Sequence, residues 1–382
     1  MATSVSVKPT LLKWARERAQ LTPETLADLM KVSSEAVLEW ETTGLLSLSR
    51  LEKWAKRTRT PIGYLFLNAP PDDSLPVADF RTHAGSAGTN PSTDLLETVH
   101  ICQRRQAWYR EFSLYEGSEP LPFVGSRDVG NPHTVIAAEI RKSLSWDKET
   151  RSGIASWADA LRELAERVEA LGALVMRSGI VGSNTRRKLD VDEFRGFALA
   201  DEFAPLIFVN SADARSAQMF TLIHELAHIW LGESGISDVN MRSKSKSECL
   251  CNRVAAEVLV PAAEFKDAWQ QSDDAYDEAR RVARMFRVST YVILIRALDI
   301  GTITSDQFDE LSDYAQSQVR AAKSGGGDFY RTQGVRLGKR FTAAVVYSAL
   351  EGRTTYVQAF RLLGVKSEKT FDQFARNLGV MD

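Results

Sequence analysis

The chain has 382 residues, is 44% apolar and 26% charged, and carries a formal net charge of −2. That length holds two or three domains with cores of their own, and the balance excludes a disordered chain or one that is basic throughout, while leaving room for local basic patches. Its three cysteines, Cys102, Cys249 and Cys251, form neither a disulfide framework nor a C-x-x-C pair, which fits a reducing compartment and argues against a thiolate-held structural zinc. The first twenty residues contain no uninterrupted apolar stretch of the signal-peptide kind, and nowhere do about 18 apolar residues run together. The expectation is a cytoplasmic protein with no membrane contact.

Residues 8–68 read as five short helices. Leu11, Leu12, Ala15 and Ala19 stripe the first. Thr22 followed by Pro23 suits an N-cap and first helical position for ETLADLM, which stops near Lys31. A turn at Val32-Ser33 leads to SEAVLEWE, which ends before Gly44; LSRLEKWAKR is the fourth helix, and PIGYLFL starts a fifth at Pro61. The tight turn between the second and third predicts a helix-turn-helix over residues 1–70. Residues 71–91 are rich in Pro, Gly, Ser and Asp and read as a linker, with Phe80 as a candidate anchor.

From residue 92 the pattern is α+β and mostly helical. TDLLETVHICQRRQAWYREF, NPHTVIAAEIRKSL and SWADALRELAERVEALG read as helices, and ALVMRSG, FRGFALA and PLIFVN as strands. A helix from about Asp213 follows, carrying LIHELAHIW. Helix geometry points imidazoles four residues apart the same way, so His224 and His228 can reach one zinc at about 2.0–2.1 Å. Glu225, beside the first histidine, can take a proton from a water at the metal. The alternative is a pair of hydrogen-bonded core histidines, but two unpaired imidazoles on so apolar a helix would be costly.

A catalytic zinc takes three protein ligands and keeps one position open. Leu231 and Ser234 stand where a metzincin places its glycine and third histidine, and His83, His100 and His133 lie far upstream. A downstream carboxylate is expected, with Glu233, Asp238, Glu248 and Glu257 as candidates. Glu233 lies past the helix end at Gly232, and Asp238 falls in a loop. Glu248 opens the next helix, ECLCNRVAAEVLV; Glu257, nine positions on, is about half a turn out of phase with it. Spacing leans to Glu248 and leaves the choice open. Asn252, one turn on from Glu248, shares its face.

HELAHIWLG followed by ECLCNRVAAEVLVP resembles the ImmA/IrrE family of metallopeptidases, whose larger members follow an Xre-type helix-turn-helix. LKWARER with LTPETLADLMKVSSEAVLEWE is similar to that N-terminal module. ADFRT, QRRQAWYREF, EFRGFALADEFAPLIFVNS and the segment from GGGDFYRTQG to RLLGV resemble further parts of the fused type. The resemblance implies a zincin-like metallopeptidase domain at 92–270 with a small sheet, and a helical C-terminal region at 271–382. Glu248-Cys249-Leu250-Cys251-Asn252-Arg253-Val254-Ala255-Ala256 matches the family's second motif. That match carries zinc (Zn2+) ligation onto His224, His228 and Glu248, and the base role onto Glu225. It implies an endopeptidase acting on a repressor-like protein substrate in gene regulation, stress response or mobile-element control. The alternative it leaves is a non-proteolytic antitoxin or transcription regulator that binds a cognate toxin or DNA, and it allows a homodimer.

Charge tempers the DNA reading. Residues 33–44, where a recognition helix would lie, hold Glu35, Glu39 and Glu41 and no Lys or Arg. Phosphate neutralisation dominates DNA affinity, so this helix suits protein docking at least as well. Two later regions are more basic. Residues 279–298 again read as helix-turn-helix and carry Arg280, Arg281, Arg284, Arg287 and Arg296; residues 315–382 carry 11 Lys and Arg against 5 Asp and Glu. Such regions face nucleic acid or an acidic partner, or are solvated faces laced with salt bridges. Trp108, Tyr109, Trp230 and Tyr330 are candidates for a substrate groove, with core packing the commoner use. Cys249 and Cys251 fit small packed hydrophobes.

Overall fold

The computed structural model describes residues 4–71, 77–79, 91–237, 245–270, 272, 274–319 and 336–380. Most of the 71–91 linker lies outside the described residues, as do Phe80, His83, Asp238 and Tyr330. The chain forms two compact units, Met1–Pro76 with Gly88–Val99, and Val77–Ala87 with His100–Asp382.

The first unit contains β1 (Ser4–Ser6), α1 (Pro9–Arg18), α2 (Pro23–Met30), α3 (Ser34–Thr43), β2 (Leu45–Ser47) and α4 (Leu48–Arg57). The apolar run after Pro61 is a 3-10 helix, Ile62–Phe66, rather than a fifth α-helix, and β1 and β2 pair antiparallel in a small sheet that the sequence pattern does not announce. Three residues join α2 to α3. Lys31 takes the left-handed conformation, Val32 N–H bonds back to the Ala27 carbonyl, and Ser33 caps α3 by accepting from Ala36 N–H. Of the three acids on α3, Glu41 turns inward and pairs with Arg16 through two contacts, 2.7 and 3.0 Å. The outward positions are Glu35, Leu38, Glu39 and Thr42. Leu11, Leu26, Val37, Leu51 and Trp54 fill the core.

In the second unit, β3 (Ala78–Asp79) precedes α5 (Thr93–Tyr115), whose first turns belong to the first unit. Helices α6 (His133–Leu144), α7 (Lys148–Ser152) and α8 (Trp157–Ala170) lead to β4 (Leu174–Ser178), β5 (Gly196–Leu199) and β6 (Leu206–Asn210). Then come α9 (Arg215–Leu231), β7 (Gly235–Ser237), α10 (Lys246–Leu259), α11 (Ala262–Ala268), α12 (Ala275–Phe286), α13 (Thr290–Ile300) and α14 (Ser305–Val319). The last three helices are α15 (Lys339–Leu350), α16 (Tyr356–Leu363) and α17 (Glu368–Asn377).

The five-stranded sheet runs β3-β7-β5-β6-β4. It is mixed: β4 and β6 are parallel, as are β3 and β7, while β5 is antiparallel to both its neighbours. β5 and β6 are buried along their whole length, which is why apolar residues run without alternation from Phe197 to Leu199 and from Leu206 to Val209. Val175, Ala198, Ile207 and Val209 join the core that contains α9. On the other face Phe197 stacks on Phe208 at 4.9 Å, and Gln106 of α5 donates to the carbonyls of Leu199 and Ala204. Helix α9 packs against β5 and β6 and also against α8 and α10.

Helix α13 is apolar on nearly every side and buried from Val292 to Ala297. Its Arg296 is fully buried and pairs with Glu257 and Asp299, each at 2.9 Å. Several tail cations are likewise paired: Lys339 with Glu166, and Arg353 with Glu116 and Glu351. Glu169, near the end of α8, accepts from the N–H groups of Lys339 and Arg340 at 3.2 and 3.1 Å and so caps α15. Burial pushes the Glu169 carboxyl above its usual range, against the pull of those two N–H groups. No helix among the described residues is long and apolar enough to cross a membrane.

Candidate metal centre

Helix α9 is buried without a break from Gln218 to Trp230. A helix apolar all round belongs in an interior, so the few polar side chains on it must find partners there. It ends at Gly232, whose φ of 70° is the left-handed C-cap favoured by glycine, and β7 follows within three residues. That short return sets Ser237 beside the motif.

His224 and His228 meet through their Nε2 atoms, 3.2 Å apart. Glu248, in the first turn of α10, approaches both: Oε1 lies 2.9 Å from His228 Nε2 and Oε2 lies 3.3 Å from His224 Nε2. One ligand atom from each of the three residues falls within 4.8 Å of the others, and all three residues are buried. Glu248 Oε2 and Glu225 Oε1 are buried with no hydrogen-bond partner among the described residues. Two imidazoles and a carboxylate converging on one point, with a carboxylate oxygen left over, fit a divalent ion of the zinc class.

The surrounding groups sort by role. Glu233 Oε2 lies 3.2 Å from His228 Nδ1, on the side of the ring away from Glu248. Ser237 Oγ sits 3.4 Å from Glu225 Oε2 and 3.3 Å from Glu248 Oε1, so its one hydrogen serves either carboxylate. Gly196 on β5 faces the same spot. A Cβ there would lie 2.5 Å from Thr221 Cγ2 and 2.8 Å from Glu225 Oε1. Glu257 is held by Arg296, Asp238 lies outside the described residues, and His100 and His133 sit on α5 and α6 outside the cluster. Arg215 is exposed at the start of α9.

Burial drives the Glu225 carboxyl well above its ordinary value, and the Glu248 charge adds to this, while His228 and Ser237 work the other way. Burial would also raise Glu248, but His224 and His228 hold it well below the usual carboxylate range. Burial opposes a charge on His228; Cys251, Glu233 and Glu248 nevertheless raise it well above its ordinary value.

Of the aromatics singled out in the sequence, Trp108, Tyr109 and Trp230 are core. Trp230 stacks on Phe123 at 4.5 Å, and Trp108 packs against Phe112 and Phe341. Cys251 is fully buried beside His228. Ser237 carries no sequence signal, since it belongs to a three-residue strand; Glu233 was in view as a ligand, not as a partner of the imidazole.

No curated protein sequence matches the chain. Residues 337–377 match the family model DUF8813, a domain of unknown function. Residues 168–298, the segment that carries His224, Glu225, His228 and Glu248, match the peptidase family model Peptidase_M78, described as an IrrE N-terminal-like domain.

Proposed function

We propose that the protein is a zinc-dependent endopeptidase of the ImmA/IrrE type that cleaves a regulatory protein, repressor-like or antitoxin-like, inside the cell. The observation that carries this reading is the meeting of His224, His228 and Glu248 around one point, with Glu225 alongside, in a segment matching a peptidase family. His224, His228 and Glu248 would hold the ion, and Glu233 would orient the His228 ring. When bound, zinc supplies a Lewis acid that acidifies water and polarises a peptide carbonyl. Glu225 takes the proton from water and passes it to the leaving amine. Burial raises its proton affinity above that of an ordinary carboxylate, which favours both transfers. Ser237 fixes the direction of the Glu225 carboxylate, and Gly196 leaves it room.

The proposed organisation is a helix-turn-helix domain at 1–70, a linker at 71–91, the peptidase domain at 92–270 and a helical region at 271–382. The outward face of α3 offers two carboxylates and a leucine, so the first domain docks protein rather than DNA in this reading. The test is incubation of the zinc-loaded protein with the product of the adjacent gene, with and without chelator. The wild type cleaves it, and Glu225→Gln binds zinc but does not. Equal cleavage by Glu225→Gln defeats the proposal.

A further inference from the structure

The same turn occurs three times among the described residues. At each, an apolar residue ends a helix, a residue in the left-handed conformation follows, and a valine N–H bonds back to a carbonyl five residues earlier. A serine then caps the next helix. The left-handed residues are Lys31, Arg287 and Gly364, and the bonds are Val32 to Ala27, Val288 to Ala283 and Val365 to Phe360, at 3.1, 3.1 and 3.0 Å. The capping serines are Ser33, Ser289 and Ser367. Each turn therefore joins two helices by three or four residues, the connection that sets a second helix up to enter a DNA groove.

Only one of the three second helices has both the exposure and the charge. Helix α13 is buried from Val292 to Ala297, with its one arginine locked between Glu257 and Asp299. Helix α3 is exposed but presents Glu35 and Glu39. Helix α17 buries Phe371, Phe374 and Ala375, and Phe371 packs against Phe360 and Tyr356 of α16. Its opposite side carries Lys369, Gln373 and Arg376, at the i, i+4, i+7 spacing of one helix face. Lys366 in the turn and Arg361 on α16 are exposed nearby in sequence. Arg361, Lys366, Lys369 and Arg376 make no ion pair among the described residues, unlike Lys339 and Arg353 earlier in the tail. Residues 356–377 hold those four cations against Glu368 and Asp372.

We propose that α16 and α17 form a duplex-DNA-binding site, with α17 in the major groove. Lys366, Lys369 and Arg361 meet phosphates, and Gln373 and Arg376 have the side chains that read adenine and guanine edges. Ten residues make α17 about 15 Å long, enough to lie along a groove about 12 Å wide. This site is separate from the peptidase centre and does not depend on cleavage. It assigns a ligand class to the segment that matches a domain of unknown function.

The test is fluorescence anisotropy of the full-length protein with a labelled mixed-sequence duplex of about 30 base pairs, between 50 and 200 mM salt. The wild type binds, with log Kd linear in log salt. Lys366→Ala/Lys369→Ala/Arg376→Ala raises Kd at least tenfold and lowers the salt slope by about 2, near 0.9 for each of the two lost phosphate contacts. A melting curve establishes that the variant is folded, as expected for exposed positions. Arg280→Ala/Arg284→Ala, on the exposed face of α12, binds as the wild type does, and so does Glu225→Gln. The proposal is overturned if the wild type does not bind at 50 mM salt or if the triple variant keeps affinity and slope. It also falls if the α12 variant loses as much as the triple variant, or if a single strand of equal length binds more tightly than the duplex.

Discussion

Gly196→Ala tests the packing that surrounds Glu225. The added Cβ would stand 2.5 Å from Thr221 Cγ2, 2.8 Å from Glu225 Oε1 and 2.9 Å from the Phe208 carbonyl oxygen. The last of these belongs to the backbone of β6, paired with β5, so the sheet cannot yield without breaking its ladder. Relief has to come from α9, which carries both Thr221 and Glu225 one turn apart. Restoring an ordinary contact of about 3.4 Å to Thr221 moves that turn by roughly 0.9 Å, an overpacking that costs about 1–3 kcal/mol. Melting should fall by about 2–12 °C at roughly 2–4 °C per kcal/mol for a body of this size. A carboxylate displaced by nearly 1 Å should slow cleavage by about 100-fold. Zinc affinity, measured by competition with a chromophoric chelator, should fall by less than cleavage does, because the displaced turn carries one of the three ligands, His224, while His228 and Glu248 lie outside it. Unchanged melting and unchanged cleavage would refute the reasoning; a loss of zinc binding equal to the loss of cleavage would place the strain on the wrong residues.

Zinc at 100 times its Kd should stabilise the wild type by about 2.7 kcal/mol, and Glu248→Ala should lose that gain at the same concentration; an equal gain removes Glu248 from the ligand set. In protein stripped of metal, the raised pKa of His228 contributes stability that is fully present below about pH 6.5 and is lost as pH rises through the raised value. Denaturant titrations should show that decline, and His228→Gln should lessen it, leaving the part that the raised Glu225 carboxyl contributes. Arg296→Ala leaves Glu257 and Asp299 without their shared buried cation and should cost about 3 kcal/mol, whereas Arg296→Met, which keeps the packing, should cost less. Equal losses in the two variants would assign the effect to charge rather than volume.

The metal centre was half legible in the sequence. His224 and His228 announce themselves because one helical turn is a fixed distance, so their spacing already dictates a shared direction. Glu248 does not, since its place depends on how α10 lies against α9, and spacing alone left Glu233, Asp238 and Glu257 open beside it. Ser237 could not be found, because three residues are too few for an alternation to register. The buried strands FRGFALA and PLIFVN were plain for the opposite reason: both faces are covered, so apolar residues run on without alternation from Phe197 to Leu199 and from Leu206 to Val209. Counting charges misled in the region 279–298, where Arg296 is interior and Arg281 is tied to Glu278. A count of charges cannot distinguish a paired cation from a free one, and only the fold tells Arg353 from Arg376.

The Glu169 cap has a practical consequence for anyone dividing this protein. A chain cut at residue 298, the end of the peptidase match, would keep Glu169 and Tyr109 but lose Lys339, Arg340 and Phe341. A buried carboxylate would surrender both its donors, and the indole of Trp108 would keep Phe112 but lose Phe341, one of the two rings it packs against. The two matched segments are separate in sequence but are joined through Glu169. Modularity read from linear boundaries ends at α8.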